Sequence, residues 1–297
     1  AKWRARGKPM PAAIYIGADP VQYLVAPSRY GKDELAVAGG IRGRAVELVR
    51  CETVDIEVPA TAEYVIEGEV TTDYVEAEGP FGEFTGFMAG GREAPVFNVK
   101  CITHRKNPIL LGVLSQFPPS ESSIIKRALL EASLLKHLRE NMKIPGVSDV
   151  HALEAGGCTA TLWVSIKKLY TGHVDQIAFA IWGYFGTSYY KWIIVTDDDV
   201  DIRDPFMRDW VFSWIVRPDQ DVRVIPHSGS VELDPSTDPP DVVPAEKFGA
   251  KAIIDATRKW KYPAISLPPQ QCIDQVLSRW GDYGLPPLDQ VRLPKGI

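Results

Sequence analysis

Apolar and polar residues alternate along much of the first 120 positions, and then the period changes. Residues 12–17 form a short apolar run that stops at Asp19-Pro20. Residues 34–43 read as a helix with small residues that permit close packing. From 45 to 58, Val46, Leu48, Val54, Ile56 and Val58 oppose Glu47, Glu52, Asp55 and Glu57, the period-two pattern of a half-buried strand. Further strands are expected at 64–70, 84–88, 96–103 and 109–114, with short connections, which predicts an antiparallel sheet or barrel. At Pro118-Pro119-Ser120 the period lengthens. Ile125, Leu129, Ala132, Leu135, Leu138 and Met142 recur every three or four residues. They predict a helix over 120–142 with Ser120 as N-cap and Glu121 in its first turn. Beyond it, strands at 150–153, 161–166, 192–196, 222–225 and 252–255 are interspersed with helices at 173–185 and 205–216. That order predicts an α/β sandwich with a largely parallel sheet. Residues 233–244, rich in Pro and Asp, read as a surface loop. The tail is punctuated by Pro263, Pro268, Pro269, Pro286 and Pro287 around one helix near 273–280. Ile273, Val276, Leu277 and Trp280 make a stripe there that needs cover, from its own domain or from a neighbouring subunit.

The chain has 297 residues, enough for roughly two domains of ~100–200 residues. Net charge is −5 and no Lys/Arg cluster occurs, which argues against a nucleic-acid partner. No apolar run approaches the ~18–20 residues of a membrane span. Cys51, Cys101, Cys158 and Cys272 lie far apart without a C-x-x-C pair, so free thiols in a reducing cytoplasm are expected. The N-terminal residues lack the apolar core of a secretion signal and begin abruptly, as if cut from a longer chain.

The stretch richest in chemistry is Glu78-Gly79-Pro80-Phe81-Gly82-Glu83-Phe84-Thr85-Gly86. Gly and Pro break the strand here, which could aim both acids into one cavity, where close carboxylates supply a proton donor near neutral pH. A solvated acidic hairpin is the plain alternative. Glu34 is either a metal-binding acid or a first-turn acid favoured by the helix dipole. Asp197-Asp198-Asp199 ends an apolar strand, where open α/β sheets place ligands, although capping and loop bonding suit Asp better than a metal. Lys168 ends another strand and could meet a phosphate, or be a solvated strand end. Gln116 and Phe117 sit where the two halves join, and such junctions commonly form pockets; a plain linker fits as well.

The segments Glu34-Leu35-Ala36-Val37-Ala38-Gly39-Gly40, Val46 to Val70 and Glu78 to Gly86 together resemble the UbiD family of prenylated-flavin-dependent decarboxylases, as do Ser165 to His173, Val195 to Asp204 and Ala252 to Trp260. The resemblance implies an α+β fold: part of a split β-barrel that binds prenylated FMN, over 1–119, then a three-layer α/β oligomerisation domain with an extended tail, over 120–297. It implies reversible, non-oxidative decarboxylation of an aromatic or α,β-unsaturated carboxylic acid. By match, Glu83 would be the proton donor and Glu78 would hold an arginine. Glu34 would bind a divalent metal, usually manganese, beside a potassium site, and Lys168 would contact the cofactor. Gln116 and Phe117 would line the substrate pocket. The family's metal-binding asparagine and histidine and its catalytic arginine have no counterpart here. Either a companion piece, such as the chain's own N-terminal fragment, supplies them, or the chain is a truncated enzyme or a silent assembly subunit. A homo-oligomer is expected.

Overall fold

The computed structural model describes residues 2–27, 33–89, 91–184, 186–231, 233–237 and 248–288. A single turn, α1 (Lys2–Ala5), leads into β1 (Met10–Ile16), α2 (Pro20–Val25) and α3 (Glu34–Arg42). Asp19 and Asp33 start α2 and α3 by accepting hydrogen bonds from Val21 N and from Leu35 N and Ala36 N, as short acids at an N-cap do. Two three-residue strands, β2 (Leu48–Arg50) and β3 (Glu57–Pro59), pair antiparallel. Two long ones, β4 (Tyr64–Glu78) and β5 (Arg92–His104), form a hairpin. β1 pairs with the other edge of β4, giving the order β1-β4-β5. The buried core of this half is small: Val58, Ala62 and Val65, with Ala13, Tyr15 and Ile56 packed against them.

Three expected strands are corrected here. Residues 45–58 are a hairpin, because the chain turns at 51–55 around Glu67 of β4. The Glu67 side chain is buried and accepts hydrogen bonds from Glu52 N at 2.9 Å, Thr53 N at 2.6 Å and Thr53 Oγ1 at 2.7 Å. Those bonds satisfy backbone groups that a continuous ladder would have paired. Residues 84–88 form a turn beside one isolated bridge, Gly82 to Met88. Residues 109–114 make no strand, and Ile109, Leu110 and Leu114 are exposed. Apolar content does not make a strand where no ladder satisfies the backbone.

In the second half, α4 (Glu121–Lys136) is capped by Ser120, whose Oγ accepts from Ser123 N at 3.3 Å. It continues through one π-helical turn to Asn141 and buries Leu130, Leu134 and Leu138. Then come β6 (Val147–Ala152), β7 (Thr161–Ile166), α5 (His173–Gly183), β8 (Trp192–Asp197), α6 (Pro205–Trp214), α7 (Pro218–Asp221), β9 (Val222–Ser228), β10 (Gly249–Ala256) and α8 (Gln270–Ser278). The five-stranded sheet has the order β6-β7-β8-β10-β9. Strands β7, β8 and β10 are parallel, but both edges are antiparallel. The sheet is therefore mixed, not largely parallel: the short link from β6 to β7 is too brief for a crossover.

Alternation places successive residues on opposite faces. Leu162, Val164, Ile193, Val195 and Ile253 pack with Leu134, Leu138, Ile177 and Ile181 of α4 and α5. Trp163, Ile194, Ile254 and Ala256 pack with Met207 and Val211 of α6. Helix α8 buries no residue. The four cysteines are unpaired. Among the described residues no helix is long and apolar enough to cross a membrane. Of the loop read over 233–244, residues 238–244 lie outside the described residues, as does the tail after 288.

Candidate active site

The β4–β5 hairpin sets out the chemistry. Its last paired residues are Glu78 and Arg92, and Arg92 Nε lies 3.4 Å from Glu78 Oε2. Beyond them the connection folds into a tight loop. Glu83 N donates to Phe87 O at 3.0 Å, Gly86 N to Glu83 O at 2.9 Å, and Ala89 N to Phe81 O at 2.8 Å. The turn from Glu83 to Gly86 closes with Gly86 at φ +87°, a left-handed conformation that suits glycine. Glu83 is half-buried, and its Oε2 faces its neighbour's Phe84 N at 3.4 Å.

Both junction residues picked out from the sequence press on this loop. A Cβ added at Gly82 would come within 3.0 Å of Gln116 Cγ, and one at Gly86 within 2.8 Å of the Phe117 ring. On the other side, Phe84 reaches the second half of the chain. A Cβ at Gly157 (φ +59°) would lie 2.7 Å from the Phe84 ring, and Lys126 Nζ is 4.9 Å from that ring's centroid. The Glu83 loop is thus held between segment 116–117 and the turn that follows β6. Thr85 Oγ1, inside the loop, is buried without a hydrogen-bond partner.

Glu34 stands in the exposed first turn of α3. Burial raises the Tyr15 hydroxyl above its ordinary pKa, and the charge of Glu34 adds to the effect, so Glu34 acts on the β1 side of the sheet. Among the described residues, no three His, Cys, Asp or Glu groups gather so as to hold a metal ion.

Lys168 lies in the second half, at the C-terminal end of β7. Its amine donates to Asp255 Oδ2 and Thr257 Oγ1, both at 2.9 Å. Burial would raise the Asp255 carboxyl, but hydrogen bonds from Thr257 and Lys168 hold it below the usual range. The surrounding cavity, about 520 Å³, is rich in charge that pairs internally. Lys259 bonds Asp221 at 3.1 Å, and Arg223 pairs with Asp175. Arg258 takes Asp197 at 3.3 Å and Asp199 at 2.9 Å. The three-aspartate run therefore bonds a loop arginine at the end of β8.

Sequence reading missed Lys126 and Arg258. Lys126 was detectable: it falls three residues after buried Ser123 and four before buried Leu130, on the inward stripe of α4. Arg258 carried no local signal, since its acids lie about 60 positions away in the chain, Asp199 at a separation of 59.

The sequence matches known families over both halves. Residues 1–118 match the 3-octaprenyl-4-hydroxybenzoate carboxy-lyase Rift-related domain, and residues 123–256 its C-terminal domain. An uncharacterized protein of Archaeoglobus fulgidus is 37% identical over 257 residues, which are 86% of this chain and 52% of that protein. One from Aeropyrum pernix is 34% identical, over 93% of this chain and 57% of that protein. The chain thus spans about half the length of these relatives. The UbiD-class enzyme HmfF from Pelotomaculum thermopropionicum, solved with FMN, superposes with a TM-score of 0.78 at 31% identity, covering 95% of this chain and 61% of that one. The vanillic acid decarboxylase of Sedimentibacter hydroxybenzoicus, in closed form, gives 0.79 at 29% identity, covering 94% and 59%. With both halves matched in order and the same architecture underneath, the chain belongs to the UbiD family.

Proposed function

We propose that this chain provides the proton-donating part of an enzyme that decarboxylates an aromatic or α,β-unsaturated carboxylic acid, reversibly and without oxidation, with Glu83 as the donor. The observation that carries the reading is the clamped Glu83 turn: a half-buried carboxyl on a loop gripped from both halves of the molecule. Supporting it, HmfF binds FMN and, in an evolved dimeric form, prenylated FMN, and other similar structures are decarboxylases of vanillic and 3,4-dihydroxybenzoic acids.

Loss of carbon dioxide leaves an electron pair on carbon that must be delocalised and then protonated. Prenylated FMN, when bound, supplies the electron sink that side chains lack. The loop fits a polar group beside it, since Thr85 Oγ1 is orphaned there. Manganese and potassium are a different case. Glu34 is the one acid matched to the metal set, and the described residues offer no cluster around it. They do not fit a metal by themselves, and no step is assigned to one. Glu78 in this reading holds an arginine; the arginine it meets in this chain is Arg92. Glu83, kept part-shielded from water, delivers the proton to the carbon, and in the carboxylation direction takes it back.

The test is Glu83→Gln in the complete, cofactor-loaded enzyme. The substitution keeps size and removes the acid, so carbon dioxide release should drop ~10²–10⁴-fold. Turnover close to that of the wild type rejects Glu83 as the donor.

A further inference from the structure

The charged groups that end the parallel strands of the second half take no part in the proposed reaction. Lys168 follows β7, and Asp255 lies at the end of β10. Together with Arg223 of β9 and Gly172 and Val174 at the start of α5, they line the cavity of about 520 Å³. The Glu83 loop meets the opposite end of the same sheet, where Phe84 packs at Gly157, ahead of β7. β7 has six residues, so at about 3.3 Å each the two ends stand about 20 Å apart. The carboxyl ends of parallel strands are where open α/β sheets hold ligands.

The acids of this cavity are filled from within. Asp221 accepts from Lys259 at 3.1 Å and from Arg217 N at 2.7 Å. Asp255 accepts from Lys168 and from both the amide and the hydroxyl of Thr257. Lys259 is spent as well, on Asp221 and on the carbonyls of Asp255 and Thr257. Donors are left over. An ammonium has three and a guanidinium five. Lys168 gives two, to Asp255 and Thr257, and among the described residues Arg223 meets only Asp175. The first turn of α5 opens on the same space, with Gly172 (φ +82°) as an N-cap that makes no side-chain hydrogen bond. Spare cationic donors on two sides of one cavity call for a ligand with several negatively charged oxygens, and the start of α5 adds to the attraction.

We propose that this cavity is an anion site for a phosphate group, free or carried by a small phosphorylated molecule, held between Lys168 and Arg223. The site lies outside the decarboxylase reading and stands whether or not Glu83 is the donor.

Calorimetry on the full chain, in buffer free of phosphate and sulfate and at constant ionic strength, uses orthophosphate and AMP as probes. The wild type should bind at least one of them. Tighter binding of AMP makes a phosphate ester the occupant, and equal binding makes it free phosphate. A hydrogen bond to a charged group is worth about 10- to 100-fold in Kd. Arg223→Gln should therefore weaken both probes at least about tenfold, and Lys168→Gln should do the same. If Lys168→Gln does not fold, because Asp255 loses its cation, Arg223→Gln carries the test from a half-exposed position. Residues that only tie β7, β9 and β10 together would behave differently: the variants would melt earlier, and no probe would bind the wild type. That result overturns the proposal, and so does an equal Kd in the wild type and Arg223→Gln.

Discussion

Replacing Glu67 by Gln should unfasten the turn that divides β2 from β3. In the wild type, Oε1 accepts from Glu52 N, and Oε2 accepts from both Thr53 N and Thr53 Oγ1. Gln keeps one acceptor. With its carbonyl on the Thr53 side, its nitrogen faces the Glu52 N–H, a donor against a donor. A charge-assisted bond is lost, worth about 1.5–3 kcal/mol, while the freed N–H belongs to Glu52, which is exposed and open to water. About 2 kcal/mol is therefore expected at pH 7. At about 2–4 °C per kcal/mol that lowers Tm by roughly 4–8 °C. The pH dependence adds a second test. Burial alone would raise the Glu67 carboxyl, but the hydrogen bonds from Glu52 and Thr53 hold it below its ordinary value. A carboxylate depressed in the folded state contributes stability that is complete above the unfolded value of about 4.3, and the contribution fades as pH falls through the lower folded value. The gap between wild type and Glu67→Gln should therefore narrow below about pH 4. Urea unfolding at pH 7 and pH 3.5 measures both. A gap under about 1 kcal/mol at pH 7, or one that widens with acid, would refute the account of the turn, since the lost charge-assisted bond alone is worth more than that.

Glu34→Ala should lower bound manganese and flavin together in the loaded enzyme while leaving the Tm of the cofactor-free chain nearly unchanged, because Glu34 is exposed; full metal occupancy by elemental analysis would count against a ligand role. Phe117 is 77% exposed, so Phe117→Ala should change stability by no more than about 0.5 kcal/mol yet shift the preference among acids. Equal losses for every acid, tracking Tm, would make residues 116–117 a linker. A chain ending at Trp260 should lose the parent's oligomeric state in light scattering, because α8 buries nothing of its own and Val276 is 43% exposed. An unchanged mass would show that the tail does not hold subunits together.

Local pattern carried the second half well. Ser120 announces α4 because a short hydroxyl satisfies a free helix N–H within its own segment. The central strands of the five-stranded sheet were legible because both faces are covered and an unbroken apolar run fills the middle, Leu162-Trp163-Val164 in β7 and Ile193-Ile194-Val195 in β8. The first half was harder. Alternation over 45–58 is the same whether the chain runs straight or doubles back, and the deciding carboxylate, Glu67, comes 14 residues after Thr53. Residues 109–114 are as apolar as a strand, but among the described residues no ladder pairs with them.

The candidate site divides the same way. The Glu78–Gly86 motif, with its glycines and two acids, is visible in the sequence as a turn, because turn geometry and acid spacing are local properties. Where that loop sits is not local. Gln116, Phe117 and Gly157 hold it through contacts over tens of residues. Lys168 is similar: nothing local in the sequence tells that Asp255 and Thr257, 87 and 89 residues onward, accept hydrogen bonds from its amine. Residue type and short-range spacing marked the candidate groups. Tertiary packing decided their partners, because a charge is satisfied by whichever partner the fold brings within hydrogen-bond reach, and sequence distance does not enter that choice.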